Sequence, residues 1–248
     1  MIGIGILAGF MSGLFGIGGG VIVTPLLIIA YPAVFKQTLS IALITGLSSA
    51  QGFFSSLISF LLHRKKHRPD WPLIQWFAAP MALANLLASL NAHRISENIV
   101  IFIFGALGLM SLLITIFNQS PWKFLAEKKF LYFPLTGMLL GILCGITGQG
   151  GGFIYLPVLI SIFGLPIKQA ISTSAATGII SASGAFFGRF NGDLDFLWPS
   201  IYLVGGIFIG SYFGVALSNK LSASSLKRAL NLFILLCSTQ LIFRALHR

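Results

Sequence analysis

Residues 9–27 read GFMSGLFGIGGGVIVTPLL, and residues 141–159 read GILCGITGQGGGFIYLPVL. Sliding the chain against itself by 132 residues aligns 9–54 with 141–186 without a gap, and 19 of those 46 pairs are identical. The match continues through Lys36-Gln37 with Lys168-Gln169, Ser40 with Ser172, Thr45-Gly46 with Thr177-Gly178, Ser49-Ala50 with Ser181-Ala182, and Gly52 with Gly184. The chain reads as an internal duplication: a first repeat over 1–117, a polar connection NQSPWKFLAEKK over 118–129, and a second repeat over 130–248.

The medium around these repeats follows from composition. Of the 248 residues, 56% are hydrophobic and 8% charged, and the mean hydropathy is +0.93. A soluble domain carries about 25% charged residues. Cutting at every charged or His residue leaves eight long uncharged stretches, 1–35, 37–62, 71–92, 98–122, 130–167, 169–188, 196–219 and 229–243. About 20 apolar residues cross a bilayer as a helix, and lipid obliges each crossing backbone to satisfy its own hydrogen bonds. The expected fold is an all-α integral membrane protein of about eight transmembrane segments in two four-segment repeats. A closed barrel is excluded, since its strands are short and alternate in polarity.

The formal charge of +11 and pI near 10.1 do not point to nucleic acid, because the Lys and Arg fall in connecting loops and read as topology signals. The densest cluster, His63-Arg64-Lys65-Lys66-His67-Arg68, is expected on the cytoplasmic side as a solvated loop rather than a metal site. Cys144 and Cys237 show no pairing or metal-ligand pattern, so neither a disulfide nor a metal is expected. The apolar N-terminus lacks a basic n-region and belongs to the repeat, so it does not read as a signal peptide.

The first stretch of each half, 35 and 38 residues long, is too long for one span and too short for two. Gly16, Gly18, Gly19 and Gly20, matched by Gly148, Gly150, Gly151 and Gly152, are expected to break it, because each interior Gly costs a helix about 1 kcal/mol. Pro25 and Pro157 follow as structural residues at the opening of a new helix. A single broken crossing gives halves of like orientation, with loop cations split 10 to 6 and both termini cytoplasmic. A hairpin that turns back gives inverted halves, a split of 11 to 5 and both termini outside. The length fits the single broken crossing more easily.

A backbone break at membrane depth is tolerated only where protein or a water-filled cavity satisfies the freed groups. Freed N–H groups at a helix start suit a small anion, approached closely because glycine has no side chain. The expected substrate-binding residues are therefore Gly16, Gly18, Gly19, Gly20, Gly148, Gly150, Gly151 and Gly152, with Gln149 as the loop's one polar side chain. Thr45 and Ser49, matched by Thr177 and Ser181, join them. Each hydroxyl pair shares a helical face with Gly52 or Gly184, an arrangement that packing alone also explains. Lys36 and Lys168, each expected to open a helix, are vestibule candidates that draw anions in, or interfacial cations. All five acids, Asp70, Glu97, Glu127, Asp193 and Asp195, lie in or beside loops. Their absence from the spans argues against a cation transporter. A catalytic centre is not expected, for want of a base or nucleophile partner in the spans.

With the doubled segments GLFGIGGGVIVTP and GITGQGGGFIYLP, and Gly192-Asp193 before the aromatic Phe196 and Trp198, the chain resembles the sulfite exporter TauE/SafE family over nearly its whole length. The resemblance implies a four-plus-four arrangement in the bacterial cytoplasmic membrane. It also implies transport of small anions, typically sulfur-containing ones such as sulfite, sulfoacetate or related organosulfonates. A secondary transporter with its site between the two glycine-broken helices is the leading reading. A passive anion channel, a membrane-embedded enzyme and a scaffold subunit are the alternatives.

Overall fold

A computed structural model of the chain describes residues 1–16, 20–32, 36, 39–117, 129–148, 152–189 and 197–246. Gly18, Gly19, Gln149, Gly150 and Gly151 lie outside the described residues. Among them the chain is helical apart from short connections, with ten α-helices and no strand. The first five are α1 (Ile2–Phe15), α2 (Gly20–Pro25), α3 (Ile41–His63), α4 (Trp71–Leu90) and α5 (Glu97–Phe117). The second five are α6 (Lys129–Thr147), α7 (Gly152–Pro157), α8 (Ile167–Arg189), α9 (Leu197–Lys220) and α10 (Ala223–Leu246). Five are long and apolar enough to cross a membrane: α3, α4, the stretch Glu97–Thr115 of α5, α8, and Trp198–Lys220 of α9. Shorter apolar helices cover Ile2–Phe15 and Tyr132–Thr147.

The breaks fall at the glycines. α1 stops at Gly16, whose φ of 66° is left-handed, and α6 runs up to Gly148, whose φ is 69°. Only glycine takes this conformation at little cost. Both positions are also crowded. A Cβ on Gly16 would stand 2.6 Å from the Ile171 carbonyl oxygen, and one on Gly148 would stand 2.6 Å from Thr45 Cβ. Pro25 and Pro157 end α2 and α7 and do not open them. Each is followed by a π-helical turn, Leu26–Ala30 and Val158–Ile162. Proline six residues into a helix cannot donate to the carbonyl four residues back, and the wider π turn takes up the mismatch.

Side-chain register fixes the directions. α3 and α8 cross antiparallel, with Thr45 at Arg189 and Ser56 at Gly178. The ends of this pair serve below as the His63 end and the Arg189 end. α9 runs parallel to α1, since Gly5, Gly9 and Gly13 abut Leu203, Ile207 and Ser211 in turn. In the same way Gly137, Gly141 and Gly145 of α6 abut Phe77, Met81 and Asn85 of α4, so these helices are parallel. α8 is parallel to α4 as well, with Thr173 at Asp70 and Ser181 at Asn85. α1 packs most extensively on α9, and α6 on α4. Each of these seams joins a helix before residue 118 to one after it, so the two halves interlock rather than sit side by side.

The single broken crossing is corrected here. Phe163 packs against Phe133 while Tyr155 reaches Cys144, so the α7 segment runs back antiparallel along α6. In the first half Ser48 binds the Gly20 carbonyl oxygen, and Ile28 lies with Ile41 and Ile44, so the α2 segment runs antiparallel to α3. α1, by contrast, brings its C-terminal residues Ser12 and Gly13 to Ser59 and His63 at the C-terminal end of α3. The described segments on either side of each glycine stretch therefore run antiparallel, as the two arms of a hairpin do. Hydropathy and glycine content do not distinguish a helix that goes on from one that turns back.

Candidate functional site

The two hairpin turns lie towards opposite ends. Gly16 sits against Ile171 near the start of α8, at the His63 end, whereas Gly148 sits against Thr45 and Arg189, at the other. Beside Gly148 a cavity of about 580 Å³ opens between the starts of α3 and α5 and the ends of α4, α6 and α8. Its polar lining is Thr45, Ser89, His93, Glu97 and Arg189, and Ile41, Ile95, Val100 and Ile146 supply apolar wall. That volume falls in the range of small-molecule sites. A small second pocket reaches inward past Thr45 to Thr24, Ile28, Ile44 and Phe104.

Arg189 organises the cavity. Its Nη1 donates to Thr45 Oγ1 at 2.6 Å, and its Nη2 donates to the carbonyl oxygens of Gly145 and Ile146 at 2.9 and 2.7 Å. Those two carbonyls belong to the last turn of α6, which ends at the glycine break; the Gly145 carbonyl oxygen also accepts from the Gly148 N–H at 3.3 Å. A cation there also complements the negative end of the helix. Thr45 Oγ1 in turn donates to the Ile41 carbonyl oxygen at 2.7 Å. One guanidinium thus ties α3, α6 and α8 together and places a positive charge in the cavity wall. Across the cavity the Glu97 carboxylate accepts from the Ile41 backbone N–H at 3.4 Å, at the start of α3.

The predicted residues divide. Thr45 and Gly148 come together at Arg189. Ser181 is a packing hub, accepting from Asn85 Nδ2 at 2.9 Å and sharing a hydrogen bond with Tyr155 Oη at 2.7 Å. Gly184 abuts Ala82 and Leu86 of α4, so that face of α8 is a helix contact. Ser49 donates to the Gly46 carbonyl oxygen in its own helix, while Thr177 is buried with its hydroxyl unpartnered. Gly20 is buried, its carbonyl oxygen on Ser48 and its helix tied to α3 through the Thr24–Ser48 bond. Gly152 starts α7.

Lys36 is exposed, with a φ of 54°, four residues short of the Ser40 side chain that caps α3 through the Leu43 N–H. Lys168 is the second residue of α8 at the opposite end. The two lysines thus do not share one vestibule, and Lys36 opens no helix. Arg189, Glu97 and His63, charged or titratable residues at span ends, were taken for loop residues in the sequence, and Asn85, uncharged and inside a span, gave no signal. His63 is buried as the last residue of α3 and hydrogen-bonds through Nε2 to the Gly13 carbonyl oxygen at 2.8 Å. One signal for Arg189 was present: its counterpart 132 residues earlier is Leu57, so the cation breaks the repeat.

The sulfite exporter TauE/SafE family model matches residues 1–241. The chain belongs to this family. Among its relatives, a probable membrane transporter protein of Haemophilus influenzae is 32% identical, the match covering 97% of this chain and 96% of that one. Probable membrane transporter protein YjnA of Bacillus subtilis is 24% identical over 96% and 97% of the two chains. A probable membrane transporter protein of Xylella fastidiosa is 26% identical over 98% and 94%. No solved structure matches the chain. Family and relatives make this TauE/SafE protein a multi-pass membrane transporter in a lipid bilayer, acting on a small substrate.

Proposed function

We propose that the protein is a secondary transporter of small anions, most simply sulfur oxyanions or organosulfonates, in a bacterial cytoplasmic membrane. The observation that carries this reading is Arg189, a guanidinium in the wall of a cavity beside a glycine turn, within a chain whose acids keep to helix ends and loops. With both Nη2 protons on α6 carbonyls and one Nη1 proton on Thr45, Arg189 offers an anion its positive charge and the remaining Nη1 N–H. Gly148, Gln149, Gly150, Gly151 and Gly152 would add backbone and amide donors on the other side of the anion, with Thr45 between. Gly16, Gly18, Gly19 and Gly20 would serve the equivalent position at the opposite end.

The antiparallel α3–α8 pair and the interlocked seams support two inverted repeats of five helical segments, the architecture in which a rocking motion exposes a central site alternately. Among the described residues, Arg64, Lys65, Lys66, Arg68, Lys129, Lys168, Lys220, Lys227 and Arg228 lie at the His63 end. Lys36, Arg94, Arg189 and Arg244 lie at the other. The positive-inside rule then makes the His63 end cytoplasmic, with the Arg189 cavity facing out. A thermal-shift screen of purified protein against sulfite, sulfate, thiosulfate, sulfoacetate and simple carboxylates tests the substrate class. Stabilisation by one or more sulfur anions is expected. Stabilisation by carboxylates alone, or by none of the set, would overturn it.

A further inference from the structure

We propose that Glu97 makes the Arg189 cavity a site for zwitterions: a short-chain aminosulfonate, its sulfonate towards Arg189 and its ammonium towards Glu97. The inference rests on the anion-transport reading and names the substrate class of that same site. Its starting point is an anomaly of charge. Glu97 is the one carboxylate among the described residues that line the cavity, and a like charge facing a plain anion weakens its binding. A ligand that also carries a cation turns that repulsion into an attraction.

Other roles leave the carboxylate unexplained. α3 already has its cap in Ser40, whose side chain accepts from the Leu43 N–H at 3.2 Å. The contact of Glu97 with the Ile41 N–H, at 3.4 Å, is long for a hydrogen bond. Nor is Glu97 the hydrogen-bond partner of the guanidinium, which donates to Thr45, Gly145 and Ile146. Both charges are nevertheless tied to the first turn of α3. Glu97 reaches the Ile41 N–H, and Arg189 holds Thr45, whose hydroxyl donates to the Ile41 carbonyl oxygen. Ile41 and Thr45 stand four residues, or about 6 Å, apart along the helix. That separation leaves room for a short alkyl chain between the charges, and Ile41, Ile95, Val100 and Ile146 line the same cavity with apolar wall for its methylenes. Size points the same way. An inorganic oxyanion has the bulk of about two waters, roughly 60 Å³, against a cavity of about 580 Å³.

The test titrates purified full-length protein, by calorimetry at pH 7, with 2-aminoethanesulfonate and with ethanesulfonate, which keeps the sulfonate and the chain without the ammonium. The wild type should bind the aminosulfonate about three- to tenfold more tightly, the scale of one solvent-screened ion pair. Glu97→Gln can still accept from the Ile41 N–H through its amide oxygen. It should bind the aminosulfonate more weakly than the wild type does and ethanesulfonate more tightly, because the like charge is gone. A merely structural defect would weaken both ligands together, and that result would overturn the role of Glu97. Ethanesulfonate binding as tightly as the aminosulfonate in the wild type, or the same preference kept in Glu97→Gln, would overturn the zwitterion while leaving the anion reading in place. If neither sulfonate nor sulfite binds, the anion-transport reading itself fails and this proposal with it.

Discussion

Replacing Arg189 separates its two roles. Its three hydrogen bonds join α3, α6 and α8, and hydrogen bonds to charged groups contribute about 1.5–3 kcal/mol each. Arg189→Gln takes a charged donor from the Gly145 and Ile146 carbonyl oxygens of α6, leaving Gly145 only the 3.3 Å bond from the Gly148 N–H, while Thr45 keeps its bond to Ile41. The net loss is then about 3–5 kcal/mol, as for breaking a buried polar network. At about 2–4 °C per kcal/mol for a chain of this size, the melting temperature should fall by roughly 6–20 °C. The second role is attraction of the anion. A unit charge about 4 Å away at an effective dielectric near 20 is worth about 4 kcal/mol, and the open, hydrated cavity reduces that by half or more. KM for sulfite should therefore rise by about 10–100-fold. Arg189→Lys keeps the charge without the fork, so it should be destabilised but retain a KM nearer the wild type. Initial rates of radiolabelled sulfite uptake and melting by intrinsic fluorescence read the two effects separately. An Arg189→Gln protein with wild-type KM would refute the anion role. Equal KM in the Lys and Gln variants would refute the assignment to charge.

Gly148→Ala should lower the melting temperature by roughly 2–8 °C, since a left-handed residue with a Cβ costs about 1–2 kcal/mol, and displace Thr45 from Arg189; an unchanged melting temperature would contradict the turn geometry. At the Ser181 hub, Ser181→Val strands Asn85 and leaves Tyr155 only its weak bond with Cys144, and should cost about 2–3 kcal/mol, whereas Asn85→Leu, with a carbonyl oxygen already unpartnered, should cost under about 1 kcal/mol. Denaturation of the two variants checks the order. His67, outside the spans, has its pKa held below the usual 6.5 by burial first, then by Lys168 and Lys66. Its contribution to stability is present above that pH and declines as pH falls through the lowered value, so His67→Asn should flatten the melting curve's dependence between pH 5 and 7. Single cysteines at Lys66 and Lys36 should label from the cytoplasmic and outer sides respectively; labelling from the same side would contradict the two-ended arrangement.

Much of this was written in the sequence, and the unwritten part has physical causes. The 132-residue repeat located both glycine turns, and the left-handed Gly16 and Gly148 sit where the glycines cluster. The direction of the chain after each turn was not legible, because an apolar run has no sense of direction until its partners are known. Only contacts such as Phe163 on Phe133 supply it. Thr45 was singled out as a hydroxyl on a small face, yet its partner Arg189 was hidden at the end of a span, where a cation looks like any loop cation. Ser181 matched Ser49 in sequence but found Asn85 and Tyr155 in space, so equal repeat positions came to serve different ends.

The central claim is that this chain binds a small sulfur anion and carries it across by alternating exposure. Counterflow measures this most directly: proteoliposomes preloaded with unlabelled sulfite are diluted into a trace of labelled sulfite, and uptake is followed over time. A carrier predicts a transient, saturable accumulation of label above equilibrium that Arg189→Gln abolishes at low sulfite. Equilibration without overshoot would mark a passive channel, and no uptake of sulfite, sulfoacetate or thiosulfate would contradict the account outright.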